Sequence, residues 1–163
     1  MNLFLDTHQE LIKVLLHHEV DFIIIGGYAV IFHGQPRFTK GIDFLIKADL
    51  ANAQATYAAL AEFGAPLQGI RPEDFAERGS FFRFGRYPYG VDFDAACDRR
   101  IESTIDPETG LKAFFISRDD LIMAKLAAAR PQDLADVDAI RKAAESQRPE
   151  AKTMPSEPDG PSE

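Results

Sequence analysis

Phe22-Ile23-Ile24-Ile25-Gly26-Gly27-Tyr28-Ala29-Val30-Ile31-Phe32-His33-Gly34-Gln35-Pro36-Arg37-Phe38-Thr39-Lys40-Gly41-Ile42-Asp43-Phe44-Leu45-Ile46 is the stretch that decides how this chain folds. Its first four residues are apolar and stop at a glycine pair. Tyr28 to Phe32 continue as a short apolar helical segment that ends at His33-Gly34, and a second apolar run, Ile42 to Ile46, carries Asp43 at its start. The order is strand, tight turn, helix, strand. Two glycines at such a turn let backbone N–H groups approach a bound anion, and the N-terminus of the following helix favours phosphate. The loop before the second strand carries Arg37, Thr39 and Lys40, so a carboxylate and cations face a phosphate cradle.

Upstream, Thr7-His8-Gln9-Glu10 reads as a capping box, and Leu11, Val14 and Leu15 follow at helical spacing, which predicts an amphipathic helix over 7–18. His17 and His18 end it. Adjacent helical residues point about 100° apart, and histidines there suit the helix dipole better than they suit a metal, whose helical ligand pairs sit at i,i+4.

Downstream, Asp49 caps a helix with Leu50, Ala53, Tyr57 and Leu60 in one stripe, ending before Gly64 and read as a crossover. Residues 64–77 read as loop with a helical turn from Pro72 to Glu77. Ser80 to Phe84 and Val91 to Ala95 are β-like runs on either side of a Gly, Pro and Tyr segment, so a hairpin is expected, with Asp92 and Asp94 on one face of its second strand. Leu111 to Ile116 is a further strand. Ser117 then opens a helix with Leu121, Ile122, Leu126 and Ala129 apolar and Lys125 in the same stripe. A lysine there either snorkels at the core's edge or aims at an anion or carboxylate. Pro131 suits the first turn of a last helix, on which Leu134, Val137 and Ile140 are apolar and Asp133 and Asp136 share a neighbouring face as partners for Lys125 or Arg130.

The 163 residues, 45% hydrophobic and 27% charged, suffice for one core, placed at 1–144, with a Pro-, Ser- and Glu-rich tail over 145–163 expected to be disordered. The expected class is α/β or α+β: a mixed β-sheet flanked by helices. A net charge of -8 disfavours extended binding to DNA. Cys97 is the one cysteine, so no internal disulfide and no cysteine-based zinc site forms, which fits a reducing compartment. Neither a leader peptide nor a membrane span is readable, and a cytoplasmic protein is expected.

Ile25-Gly26-Gly27-Tyr28-Ala29, Phe32-His33-Gly34, Pro36-Arg37, Thr39 and Ile42-Asp43 resemble the small stand-alone nucleotidyltransferases of the DNA polymerase β-like superfamily, of the AbiEii-like and minimal types. A second block is similar to that family's C-terminal segment. It comprises Ser117-Arg118-Asp119-Asp120-Leu121-Ile122, then Lys125, and then Arg130, Asp133-Leu134 and Asp136-Val137. The resemblance spans residues 20 to 140. It implies that Gly26 and Gly27, with Arg37 and Thr39, hold a nucleoside triphosphate. It also implies that Asp43 and Asp92 are catalytic carboxylates binding Mg2+, or Mn2+ in its place, with Asp94 the alternative third ligand and Lys125 part of the site. Two metals on clustered carboxylates neutralise phosphoryl charge and activate the attacking hydroxyl.

One departure stands out. Two residues before Asp43, where the family has its first aspartate, this chain has Gly41, which has no side chain to ligate a metal. Two functions follow from the resemblance. The first is Mg2+-dependent transfer of a nucleoside monophosphate from an NTP to a hydroxyl of a small molecule, a protein or an RNA end. The second is a non-catalytic nucleotide-binding or regulatory protein acting through a protein partner, such as a toxin–antitoxin component.

Overall fold

A computed structural model describes residues 4–39, 41–77 and 93–148. Its strands are β1 (Phe22–Ile25), β2 (Asp43–Ile46), β3 (Ile101–Asp106) and β4 (Leu111–Phe115), and its helices are α1 (Asp6–His17), α2 (Gly26–His33), α3 (Leu50–Phe63), α4 (Phe93–Asp98), α5 (Arg118–Ala128) and α6 (Pro131–Ser146). The sheet runs in the order β2-β1-β4-β3. β1 is antiparallel to β2 and parallel to β4, and β3 is antiparallel to β4, so the sheet is mixed as expected.

β1 is central because all four of its residues are apolar and buried. Side chains alternate across a strand. Phe22 and Ile24 therefore join Ile12 and Leu15 of α1, Ala59 of α3 and Phe115 of β4 on one face. Ile23 and Ile25 join Leu45, Ala96 of α4, Leu121 of α5 and Ile140 of α6 on the other. Each such isoleucine contributes about 2–3 kcal/mol by leaving water. α2 divides its side chains between the two cores, Tyr28 and Ile31 on one and Ala29 and Val30 on the other, so the helix sits at the end of the sheet rather than over a face.

Several local expectations change. α1 begins at Asp6 with Leu5 before it and no side-chain cap, while Glu10 pairs with Lys13 at 2.8 Å instead of closing a capping box. In α3 the Asp49 cap and the left-handed Gly64 terminus hold, but the buried stripe is Asn52, Ala53, Thr56 and Ala59, and Leu50 is exposed. Asn52 is buried because it bonds Asp21 N–H and the Asp21 and Lys47 carbonyls, tying α3 to the strand ends. The expected hairpin of 80–84 and 91–95 lies mostly outside the described residues. Its last part is corrected: residues 93–95 begin α4, so Asp94 is on a helix, exposed, and not on a strand. The described hairpin is β3–β4, closed by residues 107–110 with Gly110 at φ 72. α6 continues to Ser146, two residues past the expected end of the domain, and 149–163 lie outside the described residues. No helix among the described residues is long and apolar enough to cross a membrane.

Candidate functional site

The pairing of β1 with β2 places Asp43 directly opposite Ile25, next to the glycine turn. Gly26 has φ +64, a conformation that side chains with a Cβ rarely adopt, and a Cβ there would land on the Asp43 carboxylate. A Cβ on Gly27 would lie 2.5 Å from Thr39 Oγ1 and 3.6 Å from an Arg37 guanidinium nitrogen. The two glycines are thus the condition for bringing a carboxylate, a hydroxyl and a guanidinium against the first turn of α2. Gly26, Gly27, Arg37, Thr39 and Asp43 lie together at the end of β1.

Asp43 is half-buried. Burial pushes its carboxyl above the ordinary range, and Lys125, the Gly27 N–H bonded to it and Arg130 pull it back only in part. Thr39 donates its hydroxyl to the Gly41 carbonyl at 3.1 Å, which fixes the loop before β2. Arg37 reaches Asp136 on α6, 3.4 Å away, and its Nε is buried without a hydrogen-bond partner. A guanidinium tethered at one end beside a helix N-terminus is a ready partner for phosphate oxygens.

Behind this shell, Lys125 of α5 lies 3.1 Å from Asp133 and 2.9 Å from Asp136, and its side chain is only 12% exposed. Both alternatives for this lysine meet here: it is at the edge of the core, and it is aimed at carboxylates. Arg130 also binds Asp133, through Nε and through a second guanidinium nitrogen at 3.0 Å, and Gln132 donates to Asp136 at 3.0 Å. Burial would raise the Asp133 carboxyl, but the hydrogen bonds and charges of Arg130 and Lys125 outweigh it and leave it below the ordinary range. Sequence reading paired these acids with Lys125 and Arg130. It missed the Asp136 contact to Arg37, which joins the C-terminal helix to the glycine turn, since nothing local connects residues 99 positions apart.

The metal set fares differently. Asp92 lies outside the described residues, Asp94 is exposed on α4, and Gly41 contributes no side chain. Among the described residues, no group of three or more His, Cys, Asp or Glu is placed to hold a metal ion. Asp43 is the carboxylate nearest Gly26, and no third ligand joins it among the described residues, so these residues by themselves do not make a two-metal centre.

Neither a curated protein nor a solved structure matches the chain. A family model described as "Nucleotidyltransferase of unknown function (DUF6036)" matches residues 2–146, which include every element described above. The glycine turn, Asp43 opposite it and the Lys125–Asp133–Asp136 cluster behind it are therefore features of a chain that belongs to this nucleotidyltransferase family.

Proposed function

We propose that the glycine turn binds the triphosphate of an NTP and that the protein moves a nucleoside monophosphate from it to a hydroxyl acceptor, as a stand-alone relative of the DNA polymerase β-like enzymes of AbiEii-like or minimal type. The observation that carries this reading is the close approach of Asp43, Thr39 and Arg37 to Gly26 and Gly27, which only glycines permit. Backbone N–H groups at the start of α2 and the Arg37 guanidinium give a polyphosphate two kinds of donor in one place. The acceptor belongs to the proposal only as a class: a small molecule, a protein or an RNA end.

The metal, Mg2+ or Mn2+, would be held by Asp43 at the turn with Asp92 and Asp94 as its further ligands. Lys125 enters as a charge near Asp43 whose ammonium is already engaged by two acids.

Gly41 in place of an aspartate also favours a second reading, a nucleotide-binding protein without turnover that acts on a protein partner, as in a toxin–antitoxin pair. The test is transfer of label from each α-labelled NTP with Mg2+ or Mn2+ and cell extract as acceptor source, comparing the parent with Gly41→Asp and Asp43→Ala. Labelling by the parent that Asp43→Ala abolishes supports the enzyme. Labelling by Gly41→Asp alone supports a fold that binds nucleotide without transferring it. If all three are silent and no NTP raises the melting temperature with metal present, both readings fall.

A further inference from the structure

The far end of α2 is lined by polar groups that the glycine turn does not use. α2 is eight residues long, so His33 lies about 10 Å along the helix from the glycine turn. There a cavity of about 460 Å3 opens between the end of α2, the start of β3 and the start of α5. Its volume falls in the range of small-molecule sites.

The walls leave specific demands unmet. His33 is only 6% exposed and lines the cavity. One ring nitrogen, Nε2, lies 2.7 Å from the Ile116 carbonyl, and a carbonyl only accepts, so the proton sits on Nε2 and Nδ1 keeps its lone pair. No partner for Nδ1 is found among the described residues. Burial pushes His33 below the ordinary histidine range, which keeps the ring neutral and that lone pair available. Arg118, on the same wall, has a buried Nε without a hydrogen-bond partner and no ion pair among the described residues. Its own backbone N–H opens α5, where first-turn donors have no intrahelical acceptor and Ser117 Oγ caps only the Asp120 N–H.

The rest of the lining is Phe32 and Ile101, which are apolar, and Ser117 and Gln147, which are polar. Phe32 is 37% exposed although its ring is stacked on Phe115 at 4.3 Å between centroids, so a held aromatic face is left open to the cavity. Ile101, 39% exposed, stands beside it. The exposed Asp119 at the same cavity disfavours a polyanion such as a triphosphate, while one negative charge meets Arg118.

We propose that this cavity binds a small planar monoanion, its acidic group on Arg118 and the α5 N-terminus, an O–H or N–H donor on His33 Nδ1, and its ring against Phe32. The site is separate from the glycine turn and does not depend on nucleotide transfer. α2 and α5 join the two places, since α2 runs from Gly26 to His33 and α5 carries both Arg118 and Lys125.

An amide-resolved NMR titration of the full chain with para-hydroxybenzoate tests it, with benzoate, inorganic phosphate and tripolyphosphate as further probes. The expected result is saturable shifts at His33, Ile101 and Arg118 with none at Gly26 and Gly27, weaker binding of benzoate, and about tenfold weaker binding of para-hydroxybenzoate by Arg118→Gln. Phe32→Leu should also weaken it. The parent spectrum retained in each variant shows that the fold survives. Unchanged affinity in both variants, shifts confined to the glycine turn, or no saturable shift overturns the proposal. Inorganic phosphate binding there in preference to para-hydroxybenzoate overturns the planar ligand class. Tripolyphosphate reports on the glycine turn alone, so failure of the nucleotide reading shows as silence at Gly26 and Gly27.

Discussion

Asp43 and Asp133 sit under the influence of the same two cations, Lys125 and Arg130, and titrate in opposite directions. Asp133 is 1% exposed and takes direct hydrogen bonds from both cations, so its charge is compensated at contact distance and the carboxyl is held low. Asp43 takes a backbone N–H from Gly27 and only the through-space field of the cations, so burial wins and its carboxyl is raised. On the proposed function, the difference separates a structural acid from a ligand-binding one within one network. A buried acid whose partners are complete is a tie between helices. A buried acid whose partners are incomplete, facing a glycine turn, is poised for a ligand that brings positive charge.

The sharpest way to break this contrast is to remove the shared cation. Lys125→Met leaves Asp133 with Arg130 alone and takes the ammonium from Asp136, which keeps Gln132 and the 3.4 Å contact to Arg37. Stranding a buried charge costs about 3–5 kcal/mol, and because both acids keep other partners here the low end, about 3 kcal/mol, is expected. Urea denaturation should show a loss of that order. A loss below about 1 kcal/mol would mean the acids take up protons or water at no great cost, and the structural half of the comparison would fail.

A smaller effect is expected at the functional end. Gly26→Ala adds a Cβ at φ +64 and drives it into the Asp43 carboxylate, so stability should fall by about 2 kcal/mol or more. Adding Asp43→Ala removes the contacts with the carboxylate and leaves a tight approach of 3.0 Å to the Cβ at position 43 together with the backbone strain, about 1–2 kcal/mol. The double variant should therefore be more stable than the sum of the two single effects, measurable as a coupling in a double-mutant cycle. Strict additivity would show that Asp43 does not rest on the turn.

How much of this was legible follows from how local each signal is. The apolar run 22–25 ending at Gly26-Gly27, and Asp43 at the start of the next run, are signals within a few residues of one another, and the pairing of Ile25 with Asp43 follows once those strands adjoin. Lys125 in an apolar stripe, with Asp133 and Asp136 on one face downstream, made their pairing readable but not the burial of the two acids. What failed was local pattern without local cause. Residues 93–95 alternate like a strand yet begin α4, and Leu126 and Leu134 match helical periodicity yet stay exposed while Asp133 and Asp136 go inside. In α6 satisfied charge outcompetes apolar burial, which no hydropathy pattern encodes. The cavity at His33 was invisible because Phe32, Ile101 and Arg118 come from three elements distant in sequence.

The finest test compares the two acids by titration. Asp133 has its folded carboxyl below the unfolded value of 3.8, so it adds stability that is present above the ordinary range and lost as pH falls through its folded value. Asp43 lies above 3.8, so its contribution is fully present below the ordinary range and is lost as pH rises through its folded value. Asp133→Asn should therefore destabilise most at neutral pH, with the deficit shrinking toward acid. Asp43→Asn should do the reverse: relative to the parent it should gain stability as pH rises from the ordinary carboxylate range toward neutral, by removing a charge that burial penalises. Denaturation midpoints of the three proteins across that window decide it. If a divalent cation with a nucleotide then stabilises the parent but not Asp43→Asn, the gain forgone at Asp43 is the one the ligand supplies. If Asp43→Asn follows the same slope as Asp133→Asn, the two acids share one role, and Asp43 is a structural tie like its neighbour.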